Sequence, residues 1–173
     1  MIKMIISPIS PKQFDENELF TLIISITVVA VLSYLHKHYR TLSDAELLSV
    51  YLFNIFLTTT LEALFAEHPL DFYDTMDYPH AEIFDVILQT FVYPATVTIA
   101  IHFYAKYRPA ALWYILGWGL ILTFLEWISL YFNLFQHKEW TLFYSCILYS
   151  SVMTLNTFFF NKVRKHLIKN QHV

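Results

Sequence analysis

Cysteine, glycine and charge are all scarce in this chain of 173 residues. The single cysteine, Cys146, excludes an intramolecular disulfide and says little about redox compartment. It lies in an apolar run, where a free cysteine serves as a small packing residue. The two glycines, Gly117 and Gly119, are not spaced as GxxxG, so the usual close-packing signal for a helix dimer is missing. Their scarcity also argues against a transporter built on helices interrupted by Gly and Pro. Charged residues make up 14% of the chain, whereas a soluble domain carries about a quarter. No basic cluster with interleaved aromatics points to nucleic acid. The H-E-x-x-H zinc pattern, the EF-hand loop, the G-x-S-x-G nucleophile turn and a phosphate-cradling Gly loop are all absent. The sequence therefore implies no cofactor and leans away from an enzyme.

What the chain has instead is apolar and aromatic. Hydrophobic residues make up 57%, with 16 Phe, 12 Tyr and 4 Trp and a mean hydropathy of +0.47. A spanning helix needs about 20 mostly apolar residues, and five runs qualify: 19–35, 47–66, 83–104, 110–135 and 140–161. The expected fold is an all-α, polytopic bundle of five transmembrane helices forming one integral membrane domain. Asp15, Glu16 and Glu18 precede the first run where a signal peptide would be basic, so that run is expected to be retained as a span.

Lysine and arginine mark one side. Lys37 and Arg40 fall in the first gap, Lys106 and Arg108 in the third, and Lys162, Arg164, Lys165 and Lys169 in the tail. Only Lys3, Lys12 and Lys138 fall on the other side. Short loops rich in Lys and Arg stay in the cytoplasm. The expectation is an N-terminus outside and a C-terminus inside, in a bacterial cytoplasmic membrane. Tyr39, Tyr104, Tyr107 and Trp113 then mark the inner interface, and Tyr78, Tyr131, Trp140 and Tyr144 the outer one. The basic tail suits anionic lipid.

Three acids sit inside apolar runs: Glu62, Asp85 and Glu126. In the expected orientation all three lie in the outer half of the bilayer, with Gln89 one turn from Asp85 on the same face. A charge near mid-bilayer costs at least about 2.5 kcal/mol, so such residues face a bundle interior or a watery cavity. Two readings compete. In one, Glu126 hydrogen-bonds to Asn54, Gln89 or a Tyr and only fixes packing. In the other, Glu126 is the central acid of an outward polar pocket, with Asp85 and Glu62 at its entrance and Gln89 as orienter. Asn156 is expected to bridge helices. Pro94 should kink the third span and free the Thr90 carbonyl, which a Thr or Tyr hydroxyl of a neighbouring helix can satisfy.

The second gap is acidic and holds His68, Asp71, Asp74, Asp77 and His80. His68, Asp71 and His80 are metal-ligating types without a metal-site spacing. Three-residue steps could align Asp71, Asp74, Asp77 and His80 on a helical turn; a solvated acidic loop is the plainer reading. His36 and His38 are expected among lipid headgroups, and His102 at the inner interface.

Phe84-Asp85, Tyr93-Pro94, Thr123 with Glu126-Trp127, and Trp140 with Tyr144-Ser145 resemble an uncharacterised group of small multi-pass membrane proteins from spore-forming Gram-positive bacteria. The resemblance covers about residues 83–165. The family's Asn-Gln pair after its third helix is replaced here by His102-Phe103-Tyr104-Ala105. The resemblance implies the same helical fold, marks Asp85, Pro94, Glu126 and Trp127 as matching positions, and implies no reaction. The functional expectation is a membrane component that senses or binds a small cation, proton or polar ligand, alone, as a homo-oligomer or with a membrane-protein partner. A small transporter or channel subunit and a purely structural component are the alternatives.

Overall fold

The computed structural model describes residues 13–66, 70–76 and 82–170. Five helices are long and apolar enough to cross a membrane: α1 (Glu16–Tyr39), α2 (Asp44–Phe65), α3 (Ile83–Tyr107), α4 (Ala111–Tyr131) and α5 (Leu142–Asn170). Large apolar side chains such as Ile26, Phe56, Leu120 and Phe158 point outward from the bundle. In water this would be a large exposed apolar surface; it suits a lipid surround.

The helix ends differ from the hydropathy runs for local reasons. Charged residues extend α1 and α2 because they act as caps. Asp15 and Glu18 form a reciprocal capping box at the start of α1, and Ser43 and Glu46 do the same for α2. Helix α4 stops at Tyr131, short of the expected 135, because Asn133 turns left-handed at φ 53°. Helix α5 runs past 161 and carries the basic tail as a continuous helix.

The fold is all-helical as expected, with one short antiparallel ribbon added in the connections. Strand β1 (Tyr73–Thr75) pairs with β2 (Phe135–His137), with Tyr73 opposite His137 and Thr75 opposite Phe135. The alternative of a helical turn through Asp71 and Asp74 does not form, since 73–75 is a strand. Asp77, His80, Tyr78 and His68 lie outside the described residues. The ribbon joins the α2–α3 and α4–α5 connections and caps one end of the bundle, the ribbon end. Arg40, Arg108 and Arg164 all lie towards the other end, the arginine end.

Helix α3 is the central and most buried helix, packed against α1, α2 and α5. Helix α4 packs chiefly on α5 and shares few contacts with α1. Gly119 allows the α4–α5 approach, because a Cβ there would overlap the Ser150 hydroxyl. Gly119→Val is expected to destabilise the protein by about 1–3 kcal/mol, the usual cost of overpacking. Detergent-solubilised unfolding curves would check this, with Gly117→Val, at a position with open space, as the neutral comparison.

Helix α3 is not uniform. Residues Leu88–Val92 form a π-helical segment immediately before Pro94. The missing proline N–H and the wider turn leave carbonyls without intrahelical donors. Two hydroxyls of α2 satisfy them: Tyr51 donates to the Thr90 carbonyl at 2.8 Å and Thr58 to the Gln89 carbonyl at 3.2 Å. Asn54 and Asn156 exchange two side-chain hydrogen bonds, at 2.7 and 3.0 Å, and join α2 to α5 while fully buried.

The arginine end is closed by polar contacts. Arg164 of α5 donates to both oxygens of Glu46, at 2.5 and 3.1 Å, and to the Thr41 carbonyl at 3.0 Å. His102, near the end of α3, is 1% exposed, with Nε2 3.3 Å from the Thr41 hydroxyl. His36 pairs with Asp44 at 2.8 Å, and His38 stacks on Tyr34.

Candidate functional site

A cavity of about 150 Å³ lies between α3 and α4, beneath the ribbon. That is room for several waters or a small organic molecule. Glu62 and Glu126 both line it, although they come from different helices. Asp85 and Gln89 do not. Asp85 instead caps α3, its carboxylate accepting the Glu82 N–H at 2.9 Å. Gln89 lies in the π segment, its carbonyl accepting from Thr58. Tyr93 reaches the cavity instead.

Glu126 is 6% exposed. Its Oε1 accepts from the Ser145 hydroxyl at 2.7 Å and lies 3.1 Å from His137 Nε2. The Tyr149 hydroxyl faces the same carboxylate. The Ser145 hydroxyl in turn accepts from Trp140 Nε1 at 2.7 Å. None of the expected amide partners reaches Glu126, since Asn54 is committed to Asn156. Ser145 gives its proton to the acid, and its acceptor site is taken by Trp140.

Glu62 is held by the ribbon. The Thr75 hydroxyl donates to Oε1 at 2.6 Å and the Tyr73 hydroxyl to Oε2 at 3.2 Å. Burial and the Glu62 charge push the Tyr73 hydroxyl up, so it stays protonated and acts as donor. Tyr73, Tyr93, Trp140, His137 and Tyr149 surround the polar end of the cavity. The Tyr93 hydroxyl is buried and makes no hydrogen bond among the described residues. Below the acids the walls are mostly apolar, with Leu57, Val97, Leu122 and Val152, and include Thr58 and Thr96.

Asp71 and Asp74 are both bound by one lysine. Lys138 Nζ donates to Asp71 at 2.6 Å and to Asp74 at 2.8 Å. No grouping of His, Cys, Asp and Glu suited to a metal occurs among the described residues. The two carboxylates hold the Lys138 ammonium above its ordinary range. A group raised on folding stabilises the fold while it stays protonated, and that contribution is lost as pH rises through the folded value. The melting-temperature difference between wild type and Lys138→Met is expected to be constant from about pH 7 to about pH 10 and to close above it.

Trp127 lies exposed on the outer surface of the bundle, between Phe124 and Tyr131. Pro94 is buried in α3. Comparison with protein-family models, with curated proteins and with solved structures finds no match.

Proposed function

We propose that this is a multi-pass protein of a bacterial cytoplasmic membrane that binds a small cationic ligand in the cavity beneath the ribbon. One observation carries the reading: two acids embedded in different spanning helices, Glu62 and Glu126, meet in one cavity. Intramembrane acids are costly and concentrate at ligand and ion sites. A purely structural role for Glu126 calls for its hydrogen bonds and no space beside it; here the bonds are made and the space is present. Aromatic walls add attraction for an organic cation.

The orientation belongs to the same proposal. The arginine end carries Lys37, Arg40, Lys106, Arg108 and the basic end of α5, so it faces the cytoplasm and the ribbon faces outward. A transporter reading gains less support. Beneath the cavity, Ala100, Ile101, Val152, Met153 and Phe160 form a packed apolar core. The polar groups there are already bonded: Asn54 to Asn156, Ser150 to the Cys146 carbonyl.

The test is a thermal-shift series on the purified protein with primary alkylamines of increasing chain length. At least one amine is expected to raise the melting temperature of the wild type, and none that of the Glu62→Gln/Glu126→Gln protein. Identical responses of the two proteins across the series would remove the cation site.

A further inference from the structure

We infer that the cavity is loaded from the bilayer, through a side window between α1 and α4, and that its ligand is an amphiphilic organic amine. This rests on the reading of the cavity as a cation site and adds the route and the ligand's second half.

The aqueous side is roofed. Tyr73, Phe135, His137 and Trp140 line the cavity from the ribbon and the start of α5. They are tied down by the strand pairing and by the bonds to Glu62 and Glu126. The flank is different. Helices α1 and α4 are joined near the ribbon, where Phe20 stacks on Phe132 at 4.2 Å and Asn133 donates to Glu16 at 2.6 Å. Farther down, Tyr114 of α4 donates to the Ala100 carbonyl of α3 at 2.5 Å. Between these two ties, α1 and α4 share few contacts. Ile24 of α1 and Leu125 and Ser129 of α4 line the cavity there, and Leu125 is 36% exposed at the bundle surface. There a single layer of side chains, with little helix–helix packing behind it, separates the cavity from the flank of the bundle.

The lining sorts by height. Glu62, Glu126, His137 and Tyr93 gather at the ribbon end, and Leu122, Val97 and Val152 form the floor. Ser145 and Val152 both line the cavity and are seven residues apart on one helix, a depth of about 10 Å. A bare metal ion or a small hydrophilic cation would leave that apolar depth unused. An ammonium head with an alkyl body fills both parts. The head would lie against two carboxylates, with the Tyr93 hydroxyl, which has no hydrogen bond among the described residues, free to accept one of its N–H groups.

The experiment uses full-length protein in phosphatidylcholine nanodiscs, titrated calorimetrically against empty discs. The probes are octylamine, ethylamine and octanol, referenced to their aqueous concentrations. Octylamine is expected to bind more than about a hundredfold more tightly than ethylamine, from the added methylenes. Octanol, with the same chain and no charge, is expected to bind at least about tenfold more weakly than octylamine. In stopped-flow tryptophan fluorescence, Leu125→Trp is expected to slow octylamine association about tenfold or more, since it fills the window. Ile121→Trp, one turn away and outside the cavity, is expected to leave the rate unchanged. Should Leu125→Trp fail to fold, Ser129→Phe blocks the other edge. Ethylamine binding as tightly as octylamine would overturn the amphiphile and leave the cation site standing. Unchanged octylamine association in the window variants would overturn the route. No binding of either amine would overturn the cation site itself.

Discussion

Arg164→Ala is expected to lower the unfolding free energy by about 3–5 kcal/mol, the usual cost of leaving one member of a buried ion pair alone. Arg164 is the only cation bonded to Glu46 among the described residues, and the Glu46 side chain is 8% exposed. Glu46 also closes the capping box that starts α2, accepting the Ser43 N–H at 2.9 Å. The guanidinium further bonds the Thr41 carbonyl in the α1–α2 connection. One side chain on α5 thus fastens the turn between the first two helices. Its loss strands a carboxylate, a carbonyl and a cap together. Denaturant titration in detergent micelles would measure the change. A loss below about 1 kcal/mol would mean that the pair behaves as a solvent-screened surface contact. Glu46→Leu/Arg164→Leu is expected to recover much of the loss, because replacing both charges removes the stranded one.

The helices were legible because the bilayer imposes one strong rule, a long apolar run per crossing. All five runs correspond to helices, and the sequence also singled out Asn54 and Asn156 as polar residues between helices. The cavity was legible only in part. Glu62 and Glu126 share it, but Asp85 does not, since its place at N3 of α3 turns its carboxylate back to the Glu82 N–H. Gln89 lies in the π segment and does not line the cavity. The ribbon could not be read, because three-residue strands carry no period, and Tyr73 and His137 are brought together by long-range pairing. With it went His137, Tyr73 and Thr75 as partners of the two acids. A signal did exist: two connections at one end, the longer holding Asp71 and Asp74, the shorter Lys138. Opposite charges in facing loops suggest that the loops meet.

Glu62→Gln/Glu126→Gln is expected to weaken binding of an alkylamine by about two to four orders of magnitude. A hydrogen bond to a charged group contributes about 1.5–3 kcal/mol, so two carboxylates together supply about 3–6 kcal/mol, and each 1.4 kcal/mol is about tenfold in affinity. Glutamine is the right replacement because it keeps the volume and an acceptor oxygen for Ser145, Thr75 and Tyr73 while removing the charge. The two single variants should differ. Glu126 is the more buried and its Oε1 already meets Ser145 and His137, so water can replace it less readily. Glu62 is held by two neutral hydroxyls at the ribbon and is half-buried. Glu126→Gln is therefore expected to lose more affinity than Glu62→Gln. The double variant should lose less than the sum, because both acids act on one ammonium and are coupled through it. Calorimetric titration in nanodiscs gives all four affinities. A double variant that binds within about threefold of the wild type, inside the scatter of such comparisons, would show that the cavity holds amines by its apolar walls alone and that the two acids serve only to fasten the ribbon and α5 to the bundle.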